Sequence, residues 1–201
     1  MPPRRSGSAS PAAPRAAPAA APAAAKPRPV ITPRNYKFDL PQERILDWHS
    51  HGLHASAFNN ALSVFFPQGE NFFIRAVKRY RHFVPADSAL EADVAAFVQQ
   101  EALHSREHMA YNDALRRVYF VGAVEAAVTC VLAPFDCVPA LALAGTVALE
   151  HLTGCLGHAL LSDGDLRAGG SEERFAELWY WHAVEETEHK GARGEGGEGG
   201  I

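Results

Sequence analysis

The chain has 201 residues, of which 47% are hydrophobic and 21% are charged, and this length suits one domain with a sizeable core but hardly two domains. The formal net charge is −4, yet seven of the 19 Lys and Arg residues precede Asp39, which leaves 12 basic side chains against 23 acidic ones in the rest of the chain. Such an acidic body excludes nucleic acid as the main partner, because phosphate binding needs a basic face.

The two ends of the chain differ in composition from its middle. Ala, Pro and Arg dominate residues 1–34, closely spaced prolines prevent a stable helix there, and no apolar segment of the kind found in a secretory signal follows the arginines. Residues 191–201 read GARGEGGEGGI, which is too rich in glycine to hold a helix. We therefore predict disordered tails over 1–34 and 191–201 around a helical domain over 35–190.

In the first part of the domain the sequence predicts helices that are separated by prolines. A helical pattern begins at residue 55, and we expect this helix to cover 55–66, since Pro67 follows, and a new helix to cover about 69–83. Ser88 and Glu91 have the spacing of a capping box, which predicts the start of the next helix.

The second part of the domain is more apolar. We expect helix to continue over 112–132, bent or restarted near Asn112, then a turn between Pro134 and Pro139 and an apolar helix over about 140–161. No segment is a clean membrane span, because a span needs about 20 apolar residues.

The last predicted helix begins at residue 171. Ser171 has the type and position of its N-cap, and two glutamates follow in the first turn, where the helix dipole favours acidic side chains. β-type alternation is nearly absent from the chain, so the predicted fold class is all-α.

Three cysteines lie in apolar surroundings without a C-x-x-C pair: Cys130, Cys137 and Cys155. This pattern predicts buried, reduced thiols and a cytoplasmic location.

Two predicted helices contain the pattern Glu-x-x-His: Glu101 with His104, and Glu186 with His189. Residues three apart share one face of a helix, so each pair can direct two ligands at one place. Each face carries a further histidine four residues away, and these are His108 and His182.

Two more glutamates lie in apolar surroundings, where an ionised carboxylate is costly unless it is paired or binds a metal. Glu70 is flanked by aromatic residues in FFPQGENFF, and Glu150 lies within AGTVALEHLTGCLG. The resulting order, Glu, Glu-x-x-His, Glu, Glu-x-x-His, is the ligand set of ferritin-like di-iron and di-manganese carboxylate bundles. Taken singly, Glu70 and Glu150 are equally well interpreted as surface or salt-bridged residues.

The segments FNNALSVFFPQGENFF, QQEALHSREHMAYN, ALEHLTG and WHAVEETEHK together resemble the bacterial predicted metal-dependent hydrolase family, over about residues 35–190. The resemblance implies a helical domain with ferritin-like features and metal ligands at Glu70, Glu101, His104, Glu150, Glu186 and His189. It also implies that His108 and His182 are additional ligands or partners of the ligands. Similar proteins continue in apolar helical sequence after EHK, so we expect this chain to be truncated or frame-shifted at its C-terminus.

Carboxylate and imidazole ligands suit two divalent ions, with Fe or Mn favoured and Zn as an alternative. Two such ions can activate water for hydrolysis of a small-molecule substrate, and Glu185 or Glu188 could carry the proton. Two alternatives stay open: an O2-activating di-iron oxidase or oxygenase, and a non-catalytic metal-binding bundle inactivated by the C-terminal truncation. The sequence identifies neither the substrate nor the oligomeric state, for which a homodimer is one option.

Overall fold

The computed structural model describes residues 30–162, 164 and 169–189. The described residues form five α-helices and no strand, which confirms the predicted all-α class. The helices are α1 (Leu53–Tyr80), α2 (Ala89–Leu115), α3 (Val121–Asp136), α4 (Pro139–Ser162) and α5 (Glu173–His189), with short 3-10 helices at Gln42–Arg44 and Arg81–Phe83. Residues 1–29 of the tail predicted over 1–34, and the whole tail predicted over 191–201, lie outside the described residues.

Helix α1 is central to the packing. It contacts α2, α3 and α4, while α5 packs against α4 and contacts α2. Short connections join α1 to α2 and α3 to α4, and the helices of each of these pairs contact each other. This arrangement surrounds one interior with side chains from α1, α2, α4 and α5.

The predicted break at Pro67 is wrong, because α1 runs through it without interruption. The proline nitrogen carries no proton for the carbonyl four residues earlier, which is that of Ser63. The side-chain amide of Asn112 on α2 donates to this Ser63 carbonyl at 3.0 Å. A neighbouring helix thus supplies the hydrogen bond that proline cannot make, and the helix continues.

The predicted cap at the start of α2 is confirmed, except that the return bond from Glu91 goes to the residue before the N-cap. Ser88 Oγ accepts from the backbone N–H of Glu91 at 3.1 Å, and Glu91 Oε2 accepts from the N–H of Asp87 at 2.8 Å. The predicted restart near Asn112 comes slightly later, since α2 ends at Leu115. Pro134 lies inside α3, so the predicted turn is reduced to the two residues that separate α3 from α4.

The last helix is capped by a different residue from the one predicted. Glu172 Oε2 accepts from the N–H of Phe175 at 3.1 Å and so caps α5. Ser171 Oγ instead accepts from the N–H of Ser50 at 3.0 Å, which ties the start of α5 to the segment before α1. Residue type indicated Ser171, because serine is a preferred N-cap and glutamate is not. The contact of Ser171 with Ser50, 121 residues away in the chain, is not visible in the sequence.

The larger apolar core lies where α2 and α5 meet the segment before α1. Trp48 is fully buried, stacks on Phe175 with ring centroids 5.1 Å apart, and donates its indole N–H to Asn60 at 3.1 Å. A smaller cluster of Phe72, Phe73 and Ala76 joins α1 to Ala142 of α4.

Residues 30–38 lie along α2 and α5, although the sequence placed 30–34 in the disordered tail. Ile31 is buried, and the backbone N–H of Thr32 donates to Glu188 at 2.9 Å. Farther along, the N–H of Phe38 donates to Glu107 at 3.2 Å. The helical domain therefore begins several residues earlier than predicted.

The surfaces of α3 and α4 expose much apolar area. Cys130, Cys137 and Cys155 are free but exposed, so the prediction of buried thiols is wrong. Apolar neighbours in sequence indicated burial, yet most of these two helices faces outward. Within the described part of the chain, α4 alone is long and apolar enough to cross a bilayer, and one such helix is weak evidence, so no clear membrane span is present.

Candidate metal centre

Four helices bring six predicted ligands to one place in the interior. Glu70 comes from α1, Glu101 and His104 from α2, Glu150 from α4, and Glu186 and His189 from α5. All are buried except Glu150, whose side chain is 11% exposed. The Glu-x-x-His spacing explains two of these contributions, because each pair shares one helix face.

The glutamate of each Glu-x-x-His pair faces both histidines. Glu186 Oε1 lies 3.6 Å from His104 Nδ1, and its other oxygen lies 3.8 Å from His189 Nδ1. Glu101 Oε1 lies 4.0 Å from His104 Nδ1 and 3.6 Å from His189 Nε2. The two carboxylates therefore lie between the two histidines.

Three overlapping groups of side chains have one ligand atom each within 4.8 Å of the others. Two of them share Glu101: one adds His104 and Glu186, and the other adds Glu150 and His189. The third group joins Glu70 and His104 to His182. Because the groups share Glu101 and His104, they form one continuous cluster.

Seven buried side-chain atoms of this cluster lack hydrogen-bond partners. Both oxygens of Glu70 and of Glu101 are unpaired, as are Glu150 Oε1, Glu186 Oε2 and His104 Nδ1. Burial, reinforced by neighbouring carboxylates, raises the pKa of Glu70 and of Glu101 well above the usual range. Unpaired buried acceptors are costly, and divalent cations satisfy them together, so the residues fit a metal.

The proton of His104 is held on the nitrogen that faces away from the cluster. His104 Nε2 lies 3.0 Å from Glu185 Oε2, a carboxylate that can only accept, so this nitrogen donates. Burial and the neighbouring His182 lower the pKa of His104 to about 4, which leaves the ring neutral. Its Nδ1 lone pair consequently points at the carboxylates.

His189 has a matching arrangement. The amide nitrogen of Gln100 donates to Glu188 at 2.9 Å, so its oxygen is the atom that accepts from His189 Nε2 at 3.0 Å. His189 Nδ1 then faces Glu150 Oε2 at 2.7 Å. Although burial opposes it, this contact raises the pKa of His189, so a proton or a cation is favoured between the two groups.

A chain of hydrogen bonds orients His182. The Asn112 amide nitrogen donates to the Ser63 carbonyl, so the amide oxygen accepts from Ser63 Oγ at 2.9 Å. The hydroxyl oxygen in turn accepts from His108 Nδ1 at 2.9 Å. His108 is neutral, since burial lowers its pKa well below the usual value, and its Nε2 accepts from His182 Nδ1 at 2.7 Å.

This chain of hydrogen bonds leaves His182 Nε2 without a proton when the His182 ring is neutral. That nitrogen lies 3.1 Å from Glu186 Oε1, where two lone pairs would face each other unless a cation joins them. His182 therefore faces the cluster, and His108 lies one hydrogen bond farther away. His108 belongs to none of the ligand groups found among the described residues.

The two predicted proton carriers on α5 have other partners outside the cluster. Glu185 Oε1 accepts from the Trp181 indole at 3.0 Å and from the backbone N–H of Arg34 at 2.9 Å. Glu188 pairs with the Arg34 guanidinium at 2.6 Å, and hydrogen bonds from Arg34 and from Thr32 lower its pKa although burial opposes this.

Sequence reasoning missed Gln100 and Arg34. Both belong to patterns that look unremarkable in the sequence, a Gln-Gln pair before Glu101 and a basic residue near the predicted tail. The one available signal for Gln100 is its place directly before a Glu-x-x-His motif, which puts it beside the face that carries the ligands.

The helical interior thus buries carboxylates and imidazoles from two Glu-x-x-His motifs in groups that could hold metal. The chain belongs to the predicted metal-dependent hydrolase family, whose sequence model matches residues 32–192. This match confirms the resemblance seen in the sequence. No curated protein and no solved structure matches the chain.

Proposed function

We propose that this chain is a hydrolase that uses two divalent metal ions bound by the Glu/His cluster. The observation that supports this best is the set of buried, unpaired carboxylate oxygens that lie between His104 and His189. In this proposal one ion is held by Glu70 and His104, the other by Glu150 and His189, and Glu101 and Glu186 lie between them.

Divalent ions held there would supply Lewis acidity, which makes water a better nucleophile near neutral pH and polarises the bond to be cleaved. Carboxylate oxygens with imidazole nitrogens suit Fe, Mn or Zn. His182 completes the position near Glu70, because its Nε2 lone pair is directed there by His108.

For Glu185 and Glu188 we propose a positioning role rather than the proton transfer expected from the sequence. Glu185 fixes the ring of His104 through Nε2, and Arg34 links Glu185 to Glu188. A carboxylate that orients a ligating histidine also raises the basicity of that ligand.

O2 activation by di-iron is a second candidate, favoured by one observation. The four glutamates and the two histidines of the Glu-x-x-His motifs match the ligand set of di-iron and di-manganese carboxylate bundles. Hydrolysis proceeds without oxygen and with Mn or Zn, whereas O2 activation needs Fe(II) and consumes oxygen.

Metal analysis of the purified full chain tests the centre. After chelator treatment and reloading with Mn(II), we expect two equivalents per chain, and Glu101→Gln and Glu186→Gln to lose at least one. Glu177→Gln is the control, since Glu177 is exposed on the same helix as Glu186. Full stoichiometry in both cluster variants would refute the centre.

Hydrolysis is tested on the reloaded protein with p-nitrophenyl acetate and bis(p-nitrophenyl) phosphate under nitrogen. Turnover that disappears in Glu101→Gln supports the hydrolase. Oxygen uptake by the Fe(II) form without any hydrolysis supports the oxidase instead. A metal-dependent rise in melting temperature with neither activity would support a non-catalytic bundle.

A further inference from the structure

A cleft of about 720 Å³ lies between α1, α3 and α4. Its volume is within the range of small-molecule sites, about 300–1,000 Å³. Its outer rim includes Phe65, Val131 and Leu152, which are 48%, 66% and 54% exposed. Its inner end reaches Glu70, which is only 2% exposed. The cleft thus leads from the surface to the metal cluster.

The lining of the cleft is almost free of polar groups. Among its lining residues Glu70 is the one charged side chain and Thr153 the one hydroxyl. The Thr153 hydroxyl already donates to backbone carbonyls of its own helix, at 3.2 Å to Leu149 and 3.1 Å to Glu150. A charged or sugar-like substrate would lose its hydrogen bonds to water here and find no replacement.

A second apolar cavity of about 280 Å³ adjoins the cleft and reaches the cluster from another side. The two cavities share Leu62, Phe66 and Leu156 in their linings. The second one ends at His182 and Glu186. The route from the surface to the cluster is therefore apolar along both branches.

We propose that this cleft binds the hydrocarbon chain of a carboxylic ester, with the ester group at the Glu70 end. This inference rests on the proposed hydrolase function for its chemistry and on the lining of the cleft for its substrate class. In the reaction, the bond from the acyl carbon to the alcohol oxygen breaks and the acyl carbon gains the hydroxyl of water. The alcohol oxygen takes the remaining proton, which gives a carboxylic acid and an alcohol.

Binding is tested without catalysis, using the full chain and the fluorescent probe 11-(dansylamino)undecanoic acid. Ala126 and Ala127 are both exposed on α3, and of the two Ala127 lines the cleft. We expect Ala127→Trp to weaken probe binding by at least about tenfold, as overpacking an apolar site does. Ala126→Trp should leave binding within about twofold of the unsubstituted chain.

Several outcomes would overturn the proposal. Absence of probe binding would do so, as would equal binding by Ala127→Trp and Ala126→Trp. Light scattering provides a further check: if Ala127→Trp changes the oligomeric state while Ala126→Trp does not, the cleft is a contact between copies of the chain.

Activity separates this inference from the proposed function. With Mn(II)-loaded protein, we expect p-nitrophenyl decanoate to exceed p-nitrophenyl acetate in kcat/KM, and Ala127→Trp to remove that difference. Hydrolysis that does not depend on the acyl chain length, without probe binding, supports the hydrolase function and refutes substrate binding in the cleft. Probe binding that Ala127→Trp weakens, with no hydrolysis of any ester, supports binding in the cleft and refutes the hydrolase function.

Discussion

Gln100 of α2 accepts a hydrogen bond from His189 of α5 at 3.0 Å. Glu185 of α5 likewise accepts a hydrogen bond from His104 of α2, also at 3.0 Å, so the two helices exchange roles. In each case the acceptor is the residue directly before the glutamate of a Glu-x-x-His motif, and it orients the histidine of the opposite motif. The two helices therefore fix each other's ligands in a reciprocal pattern.

Substitution of Gln100 tests this pattern. Gln100→Leu should lower the affinity for one of the two metal equivalents by about 10–100-fold, because His189 loses the acceptor that fixes its ring. The measurement is competition with a chelator of known affinity. Gln99→Leu is the control, since Gln99 is exposed. Equal affinities for the two variants would show that the bond from His189 is unimportant.

The stability of the metal-free protein should fall as pH rises above about 6.5. Contact with Glu150 raises the folded-state pKa of His189 above its ordinary value of 6.5, against the effect of burial. A group whose pKa is raised on folding stabilises the folded state fully at pH values below its unfolded-state pKa. This stabilisation is lost as the pH rises through its folded-state pKa. The raised pKa values of Glu70 and Glu101 act in the same direction.

The measurement is the melting temperature between pH 6.5 and 8, with and without Mn(II). Metal should reverse the trend, since it binds the deprotonated forms. Below pH 6.5 the lowered pKa values of His104 and His108 oppose this effect, so the test is confined to the higher range. A flat profile without metal would contradict the assignment.

NMR can determine which ring nitrogens of His108 and His182 carry protons. We expect neutral His182 to carry its proton on Nδ1, because His108 Nε2 accepts from it at 2.7 Å. Ser63→Ala removes the acceptor that fixes His108 and should allow both tautomers of His182. Imidazole ¹⁵N shifts of the metal-free protein report this directly. An Nε2-protonated His182 in the unsubstituted chain would refute the proposed orientation.

The core around Trp48 should contribute strongly to stability. Trp48→Ala should cost about 3–5 kcal/mol in the free energy of unfolding, because a fully buried indole stacked on Phe175 is removed. Leu46→Ala is the control, as Leu46 is 41% exposed. Urea denaturation measures both, and a comparable loss in the two variants would be inconsistent with the described packing.

The sequence was informative about the ligands because a helix turns by a fixed angle per residue. Glu101 with His104 and Glu186 with His189 share a face in any α-helix, so spacing alone predicts each pair. Glu70 and Glu150 were predicted because a carboxylate among apolar residues needs a compensating charge. All six indeed lie together in the described structure.

What the sequence missed depends on contacts between distant segments. Arg34 lies 151 residues from Glu185 in the chain, and no local pattern predicts their hydrogen bond. Pro67 indicated a break because the partner of the Ser63 carbonyl comes from another helix. The exposure of the three cysteines followed from the position of α3 and α4 at the surface, which hydrophobicity does not reveal.

Pro67 has an effect that reaches beyond the course of α1. With alanine at this position the N–H of residue 67 would compete with the Asn112 amide for the Ser63 carbonyl. This would weaken the contact that now fixes which end of the amide faces the Ser63 hydroxyl. The lone-pair direction of His182 depends on that choice through the hydroxyl and His108. A residue without an amide proton thereby influences which imidazole nitrogen of His182 faces the cluster.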